Sequence, residues 1–288
     1  MSVYAELVSS AQKIALLLRV DSLYTRFLER QNERFKAGDA NIVEKTAAET
    51  QQLRAANQLQ QARADYTIIQ SQFGYLLASR QTFVPADKEL KIDLRQFPDS
   101  ASILQTPAVQ FKKGQQAIVA QELSVIRAKK LPLINAGYTN QSFVGYERIS
   151  NADVYYGSSN RFSSFAAGVS FPLFTRSLNA RIKAAQIRVT AVDAELADTL
   201  ALQEFIISQQ QLRLQKNQQT LAYYKEAILK QASVIYQNAT LQYNNGAINF
   251  LEWSMLVNQA IGLEADYIDA LTEYNRTVIE LNAYSPDF

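Results

Sequence analysis

The chain has 288 residues, of which 48% are apolar, so it is long enough to bury a sizeable core in one or two domains. Its 29 basic and 27 acidic residues are spread without a basic block, which argues against a nucleic-acid binder. It has no Cys and no His, which excludes disulfides and thiol chemistry and removes the commonest general base and metal ligand.

The opening residues, MSVYAELVSSAQKIALLLRVDS, predict an amphipathic helix. They contain a short apolar patch at 14–18 but no basic segment before a long apolar core, so they do not resemble an export signal. No run of eighteen apolar residues exists that would predict a transmembrane helix. Gly and Pro are scarce, and this composition favours long helices with few turns.

The first long helix is predicted to end at Gly38, because glycine tolerates the left-handed conformation that closes a helix. Asp39 or Asn41 is then expected to cap the start of the next helix. The product is an antiparallel helical hairpin with its tip near 36–41.

A helix is predicted over 106–130, ending at Leu131-Pro132. Two strands follow, at about 133–146 and 162–174, joined by a polar loop over 147–161. In the second strand one face is apolar and the opposite face is small and polar, as is typical of a transmembrane β-strand. The face predicted to contact lipid comprises Phe165, Ala167, Val169 and Phe171. A small soluble hairpin with one buried face is the alternative.

From Arg176 to Tyr243 no Pro or Gly interrupts the chain, which predicts a helix about 100 Å long. Apolar and small residues recur on it at spacings of three and four, which is typical of a coiled-coil seam: Ile182, Ala185, Val189, Val192, Leu196 and Thr199. The predicted partner helix, 250–284, is half as long. We therefore expect the rest of the long helix to need neighbours from elsewhere in the assembly.

The chain repeats itself. RFKAGDANIVEKTAAETQQL (34–53) aligns with QYNNGAINFLEWSMLVNQAI (242–261), each position lying 208 residues before its counterpart. Gly38 corresponds to Gly246, and the register continues without a gap to Phe73 and Leu281. The repeat predicts a second hairpin over 175–284, with its tip near 244–249 and Asn249 as the helix cap.

These residues resemble the TolC-type outer-membrane factors of Gram-negative efflux systems, and most closely their heavy-metal branch. The resemblance rests on TPAVQFKKGQQAIVAQELSVIRAKKLPLINAGY (106–138), GVSFPLF with NARIKAAQ (168–186), and YNNGAINFLEW with EADYIDALTEYNRTVIEL (243–281). It implies a mainly α fold of long antiparallel coiled-coil helical hairpins with an inserted transmembrane β-strand pair. On homotrimerisation this fold gives an α-barrel and a β-barrel.

The resemblance also implies two structural repeats, with residues 1–96 as the remainder of the first and 97–288 as the second. The first repeat would then begin before Met1. We therefore expect an N-terminal truncation, or a duct domain fused behind a pump, and either would explain the missing export signal.

The implied function is a passive exit duct in the outer membrane, with helices in the periplasm and no enzymatic activity. Its implied partners are two further copies, a periplasmic adaptor (membrane fusion protein), an inner-membrane pump of the resistance-nodulation-division type and outer-membrane lipid. The substrates would be heavy-metal cations or drugs. No cofactor, metal site or nucleic acid is expected.

The resemblance places an acidic gate at Glu252, with Glu44 as its internal counterpart, while the family's second acidic position is Met255 here. Ordinary solvated helix positions are the alternative for both carboxylates. The tips are expected to dock the adaptor through Phe35, Gly38, Asn41, Tyr243, Gly246 and Asn249, although turn formation alone would also explain the glycines. Trp253 is expected to serve packing.

Three other classes of protein compete with the channel. A periplasmic adaptor would contain one hairpin flanked by parts of a β-domain, and a soluble coiled-coil scaffold would lack the alternating strand. An enzyme is the weakest candidate, since no phosphate loop, nucleophile arrangement or metal cluster is present in the sequence.

Overall fold

The structure is a computed structural model, and it describes residues 1–38 and 41–284. Over these residues the chain is mainly helical. The helices are α1 (Ser2–Ala37), α2 (Ile42–Leu76), α3 (Ser100–Gln105), α4 (Pro107–Ala128), α5 (Arg176–Tyr223), α6 (Leu229–Asn244) and α7 (Phe250–Asn282). The strands are β1 (Leu133–Ser142), β2 (Gly145–Ile149), β3 (Ala152–Tyr156) and β4 (Arg161–Ser170).

The predicted first hairpin is confirmed. Helix α1 ends at Gly38, whose φ of 82° lies in the left-handed region. Helix α2 starts at the predicted cap, because Asn41 Oδ1 accepts a hydrogen bond from the backbone N–H of Glu44 at 2.9 Å. Asp39, the other predicted cap, lies outside the described residues.

The long helix is also confirmed, with one irregularity. A π-helical turn, Tyr224–Ile228, joins α5 to α6, so helical backbone extends from Arg176 to Asn244. The predicted seam residues of α5 (Ile182, Ala185, Val189, Val192, Leu196 and Thr199) are all half-buried.

One neighbour of this part of the long helix comes from the same chain. Helix α4 of the same chain runs antiparallel to α5, linked by Lys112 to Glu195 at 2.7 Å and by Arg188 to Glu122 at 2.9 Å. Sequence periodicity showed that the seam needed a partner but carried no information on which helix supplies it.

The chain divides into two compact units, one of residues 1–103 and 203–288 and the other of residues 104–202. The first unit has two apolar clusters. One joins α1, α2, α6 and α7 around Trp253 and Phe27, and the other packs α7 against the last turns of α5 around Leu271 and Leu214. The predicted boundary between repeats at 96/97 does not coincide with this division and stays a prediction.

Residues 77–99, which we call the strap, form no helix or strand but are held against α7. The backbone N–H of Ile92 donates to Asn275 Oδ1 at 2.8 Å, and Asn275 Nδ2 donates to the carbonyl of Leu90 at 2.6 Å. Asn282 repeats this arrangement with the N–H of Arg95 and the carbonyl of Asp93. Two buried asparagines thus satisfy the backbone of an irregular segment.

The second unit contains the strand pair. Strands β1 and β4 are antiparallel, with Leu133 opposite Ser170 and Ser142 opposite Arg161. The predicted first strand, 133–146, therefore ends earlier, at Ser142.

The predicted loop over 147–161 was wrong, because β2 and β3 form a second antiparallel hairpin there. Its two connecting residues, Ser150 and Asn151, both have positive φ, as a type I′ turn requires. None of the helices within residues 1–38 and 41–284 is long and apolar enough to cross a membrane.

Candidate functional site

The second hairpin tip is closed by hydrogen bonds at both ends. Gly246 has a φ of 72°, and the N–H of Ala247 donates to the carbonyl of Gln242 at 2.9 Å, which closes α6 in a Schellman arrangement. At the start of α7, Asn249 Oδ1 accepts from the N–H of Glu252, and Glu252 Oε2 accepts from the N–H of Asn249, both at 2.9 Å. This capping box gives Glu252 a structural role in addition to the predicted gate role.

The described residues of the first tip follow the same plan, with Gly38 in the left-handed region and Asn41 as the cap of α2. Among the described residues, the reciprocal side-chain cap is recorded for Glu252 and not for Glu44. Glu44 is half-buried, Glu252 is exposed, and Met255, at the family's second acidic position, is 67% exposed. The two predicted gate residues therefore occupy equivalent positions at two equivalent tips, and their role as a gate stays a prediction.

The residues predicted to dock a partner differ in exposure. Phe35 is 37% exposed, with the ammonium of Lys45 5.0 Å from its ring centroid, and Asn41 and Asn249 are exposed. Tyr243 is only 9% exposed, and its hydroxyl accepts a hydrogen bond from Arg34 Nη1 at 3.3 Å. In this chain Tyr243 supports the tip from inside, so Phe35 and the two asparagines offer most of the accessible surface.

An aromatic cluster lies beneath the second tip. Trp253 is fully buried and stacks on Phe27 with ring centroids 3.6 Å apart, while Phe250 and Tyr243 contact its other sides at 5.7 and 5.6 Å. This confirms the packing role predicted for Trp253. The sequence analysis did not predict that these aromatic residues form one cluster. Two pairs of aromatic residues, each three residues apart, could have predicted it: Tyr24 and Phe27 on α1, and Phe250 and Trp253 on α7.

Polar contacts also join α1 to α7, farther from the second tip than this cluster. Tyr24 donates its hydroxyl proton to Asn258 Oδ1 at 2.8 Å, and burial raises the pKa of that tyrosine. Lys13 pairs with Asp269 at 2.6 Å in a largely exposed position. Exposed ion pairs add little stability, so the Lys13–Asp269 pair mainly fixes the register of the two helices.

The strand pair presents two contrasting faces. On one face Ile134 lies opposite Val169 and Tyr138 lies opposite Phe165, with two alanines between the pairs. These side chains are exposed, Phe165 by 85% and Ile134 by 77%. The face predicted to contact lipid is thus apolar in both strands, although Phe171 lies one residue beyond β4. The opposite face is small and polar in its middle, with Asn135, Thr139, Ser164 and Gly168, and carries Leu133 and Phe162 towards its two ends.

Both outer edges of this pair lack partners in the described chain, since β1 and β4 form a two-stranded sheet by themselves. An exposed apolar face together with free edges is unfavourable in water, and in lipid the unpaired backbone groups would be more costly still. The strand pair is therefore an incomplete surface.

Comparison with known proteins identifies the fold. No protein-family model and no curated protein matches the sequence. Among solved structures, a membrane protein from Pseudomonas aeruginosa superposes with a TM-score of 0.86 at 14% identity, covering 98% of this chain and 66% of that one. CusC, described as forming a transmembrane channel, gives 0.83 at 14% identity with the same coverage. The outer-membrane channel OprN gives 0.83 at 16% identity, covering 98% of this chain and 64% of that one.

This chain has the fold of an outer-membrane channel. The prediction of long helical hairpins with an inserted strand pair is confirmed, and so is the TolC-like fold that the sequence resemblance implied. Identities of 14–16% establish the fold alone. The channel fold is present in part, because the chain spans about two thirds of the length of these structures.

Proposed function

We propose that this chain is a subunit of a TolC-type outer-membrane efflux duct, closest to the heavy-metal branch, which gives solutes a passive exit route. In this proposal identical copies, three by resemblance to the family, close their strand pairs into a ring in the outer membrane and their helices into a tunnel in the periplasm. A periplasmic adaptor and an inner-membrane pump supply substrate and energy. Heavy-metal cations or drugs are the substrates.

The observation that carries this proposal is the strand pair with its exposed apolar face, its small polar face and its two free edges. Closing such pairs edge to edge satisfies every backbone group while placing apolar side chains in lipid and polar ones in water. The fold shared with CusC and OprN supports the same conclusion.

The alternative proteins fit less well. A soluble coiled-coil scaffold gives no reason for an aromatic and aliphatic strand face that is 85% exposed at Phe165. A periplasmic adaptor would contain one hairpin, whereas this chain has two, with strands between them. Both rivals also predict a folded protein that does not partition into membranes.

The proposed gate is a set of acidic rings at the hairpin tips. Three copies would place three Glu44 and three Glu252 carboxylates around a narrow opening, which favours cations over anions. The exposure of Glu252 at the start of α7 is compatible with this role. Because its carboxylate also caps α7, substitution by alanine would disturb the helix start together with the charge.

The gate is therefore best tested with Glu44→Gln and Glu252→Gln. Glutamine can still accept the hydrogen bond from the N–H of Asn249, so the cap is kept while the charge is lost. In planar bilayers we expect the cation-to-anion permeability ratio of the assembled channel to fall by about fivefold, as for roughly 1 kcal/mol of lost charge interaction. Glu204→Gln, an exposed acid on α5, is the matched control. An unchanged ratio in the double variant would remove the gate assignment and leave the duct.

The proposed adaptor surface comprises the accessible tip residues Phe35, Asn41 and Asn249, with Gly38 and Gly246 shaping the turns and Tyr243 supporting them. Phe35 is the one exposed aromatic of this set, so Phe35→Ala is expected to weaken adaptor binding without unfolding the hairpin. Titration of the assembled channel with purified adaptor, with exposed Tyr75→Ala as control, measures this. Equal affinities would exclude Phe35 from the interface.

A further inference from the structure

The two strands and their ends carry only positive charge. Residues 127–142 and 161–176 contain Arg127, Lys129, Lys130, Arg161 and Arg176 and no acidic residue, although the whole chain balances to +2. Among the described residues, no ion pair is recorded for these five cations. By contrast, Arg148 on the β2–β3 hairpin pairs with Asp153 at 3.1 Å.

These cations lie at the two ends of the apolar face. Arg161 is at the end of β4 that joins the β2–β3 hairpin, on the same face as Phe165. Lys129, Lys130 and Arg176 flank the other end, where α4 leads into β1 and β4 leads into α5. From Arg161 to Ser170 strand β4 rises about 30 Å, which at the usual strand tilt is about 23 Å along the membrane normal. The apolar residues of this face begin at Phe165, so Arg161 lies outside the apolar band, on the side of the headgroup layer.

Arg161 is held in place by a polar network at the edge of the apolar face. Its Nη1 donates to Asn140 Oδ1 at 3.0 Å, and Asn140 Nδ2 donates to both the Tyr138 hydroxyl and Ser163 Oγ at 3.0 Å. Only one guanidinium N–H is used in this network. The other N–H groups make no hydrogen bond with another residue of the described ranges, so they can bind the oxygens of a phosphate group, for which the planar fork of arginine is well suited.

We propose that the two ends of this strand pair bind the phosphate groups of anionic membrane lipids, with Arg161 as the outer site and Lys129, Lys130 and Arg176 as the inner one. This inference rests on the proposed function, since it requires the apolar face to be in lipid. Long basic side chains beside an apolar band extend to the headgroup layer, and each cation there strengthens binding to an anionic surface.

The test uses the full chain and vesicles of two compositions, phosphatidylcholine alone and phosphatidylcholine mixed with phosphatidylglycerol. Co-flotation with the vesicles gives the partition coefficient. We expect stronger partitioning into the mixed vesicles and a loss of about fivefold there in Arg161→Gln, with no change in pure phosphatidylcholine. The triple change of Lys129, Lys130 and Arg176 to Gln is expected to lose about a hundredfold.

Two controls separate charge from geometry. Arg161→Lys keeps the charge and is expected to retain most of the binding, whereas Arg148→Gln removes a cation that is already paired and should bind like the unchanged chain. Soluble glycerol phosphate should compete weakly. Full competition would mean that the site takes free phosphate, and would overturn the assignment to lipid.

The outcomes for the two proposals are distinct. Equal partitioning of the unchanged chain into both kinds of vesicle overturns the lipid sites while leaving the channel proposal intact. A chain that floats with neither kind, while circular dichroism shows it folded, contradicts the proposed function itself. If the variants change ion selectivity but not lipid binding, the cations face the water-filled side and the lipid proposal is wrong.

Discussion

Trp253 lies where three helices of the first unit meet. Its ring stacks on Phe27 of α1 and contacts Tyr243 of α6 and Phe250 of its own helix α7. The side chain is completely buried, and its indole N–H donates to Thr240 Oγ1 at 3.4 Å. This one residue therefore holds the two hairpins together close to the proposed gate.

Replacing Trp253 with alanine removes this contact and leaves a large cavity. We expect the free energy of unfolding to fall by about 3–5 kcal/mol, as for other buried tryptophans. Urea unfolding followed by circular dichroism measures it, because the substitution removes the only tryptophan fluorophore. Tyr75→Ala is the control, since Tyr75 is 85% exposed and should change the midpoint little. Similar losses in the two variants would contradict the role assigned to Trp253.

Tyr267 makes stability depend on alkaline pH. Burial, together with a hydrogen bond from its hydroxyl to Glu89 Oε1 at 2.9 Å, raises its pKa to about 12. The folded chain thus keeps a proton that the unfolded chain loses near pH 10, so this stabilisation is complete below pH 10 and is lost as pH rises towards 12. Tyr24 and Tyr274 act in the same direction, because burial raises their pKa too.

The corresponding variant is Tyr267→Phe. We expect its denaturation midpoint to fall less steeply between pH 10 and pH 12 than that of the unchanged chain. Tyr75→Phe, at an exposed position, should leave the slope unchanged. If Tyr267→Phe keeps the full slope, the raised pKa of Tyr267 does not contribute to alkaline unfolding.

At the scale of elements, the π-helical turn has a physical reason in the spacing of buried residues. Leu214 and Leu221 lie seven residues apart, the next buried position, Ala232, follows after eleven, and Ala239 follows after seven. An interval of eleven is a heptad plus four residues, a stutter that changes the phase of a coiled coil. The turn over Tyr224–Ile228 lies within this interval and lets one long helix pack different faces above and below it.

The strap runs alongside α7, because the spacing of its bonded residues matches the spacing of their partners along the helix. Ile92 and Arg95 are three residues apart and bind asparagines that are seven residues apart on the helix. Three extended residues and seven helical residues both span about 10 Å. Asn275 and Asn282 are 2% and 4% exposed, so their side chains provide hydrogen bonds to the strap backbone where solvent does not reach.

Asn275→Ala is expected to release the middle of the strap, because the N–H of Ile92 and the carbonyl of Leu90 would lose their partner at a cost of about 1–3 kcal/mol. Limited trypsin digestion should then cleave faster at Lys88 and Lys91. Asn238→Ala is the control, since Asn238 is exposed and donates only to the carbonyl of Val234 within its own helix. Unaltered cleavage rates would show that the strap is held by other contacts.

These elements also show what the sequence could and could not predict. The seam of α5 was predicted because its residues recur at local spacings of three and four. The two tips were predicted because glycine ends a helix and asparagine caps the start of the next. The strap has no periodicity and was missed, although two asparagines seven residues apart on an apolar helix were a signal. The β2–β3 hairpin was missed because a polar loop was predicted over 147–161, although Tyr146 and Ile149 precede and Val154 and Tyr155 follow Ser150-Asn151, a pair that suits a type I′ turn. The gate residues remain predictions, because their role depends on copies that one chain does not contain.

For the molecule as a whole, the proposal requires that surfaces left open in one chain be covered by another copy. Besides the strand edges, α4 has such a surface: Phe111, Ile118 and Val125 recur every seven residues and are 65%, 60% and 59% exposed. An exposed heptad stripe is typical of a helix that packs on a further helix. Val109 and Val119 on the same helix are buried, so α4 has one face covered within the chain and one uncovered.

Placing a charge in the middle of this stripe tests the assembly. Ile118→Glu is expected to lower the oligomeric mass in detergent from that of a closed ring to that of a single chain, because a carboxylate buried between helices is costly. Light scattering after size-exclusion chromatography measures the mass. The control is Ala120→Glu, an exposed position on the side of α4 opposite to Ile118, which should leave the assembly intact. Since Ile118 is exposed in the single chain, its substitution should not unfold α4, and circular dichroism checks this.

An unchanged mass in Ile118→Glu would place the contact between copies elsewhere, and a single-chain mass for the unchanged protein would contradict the proposed duct.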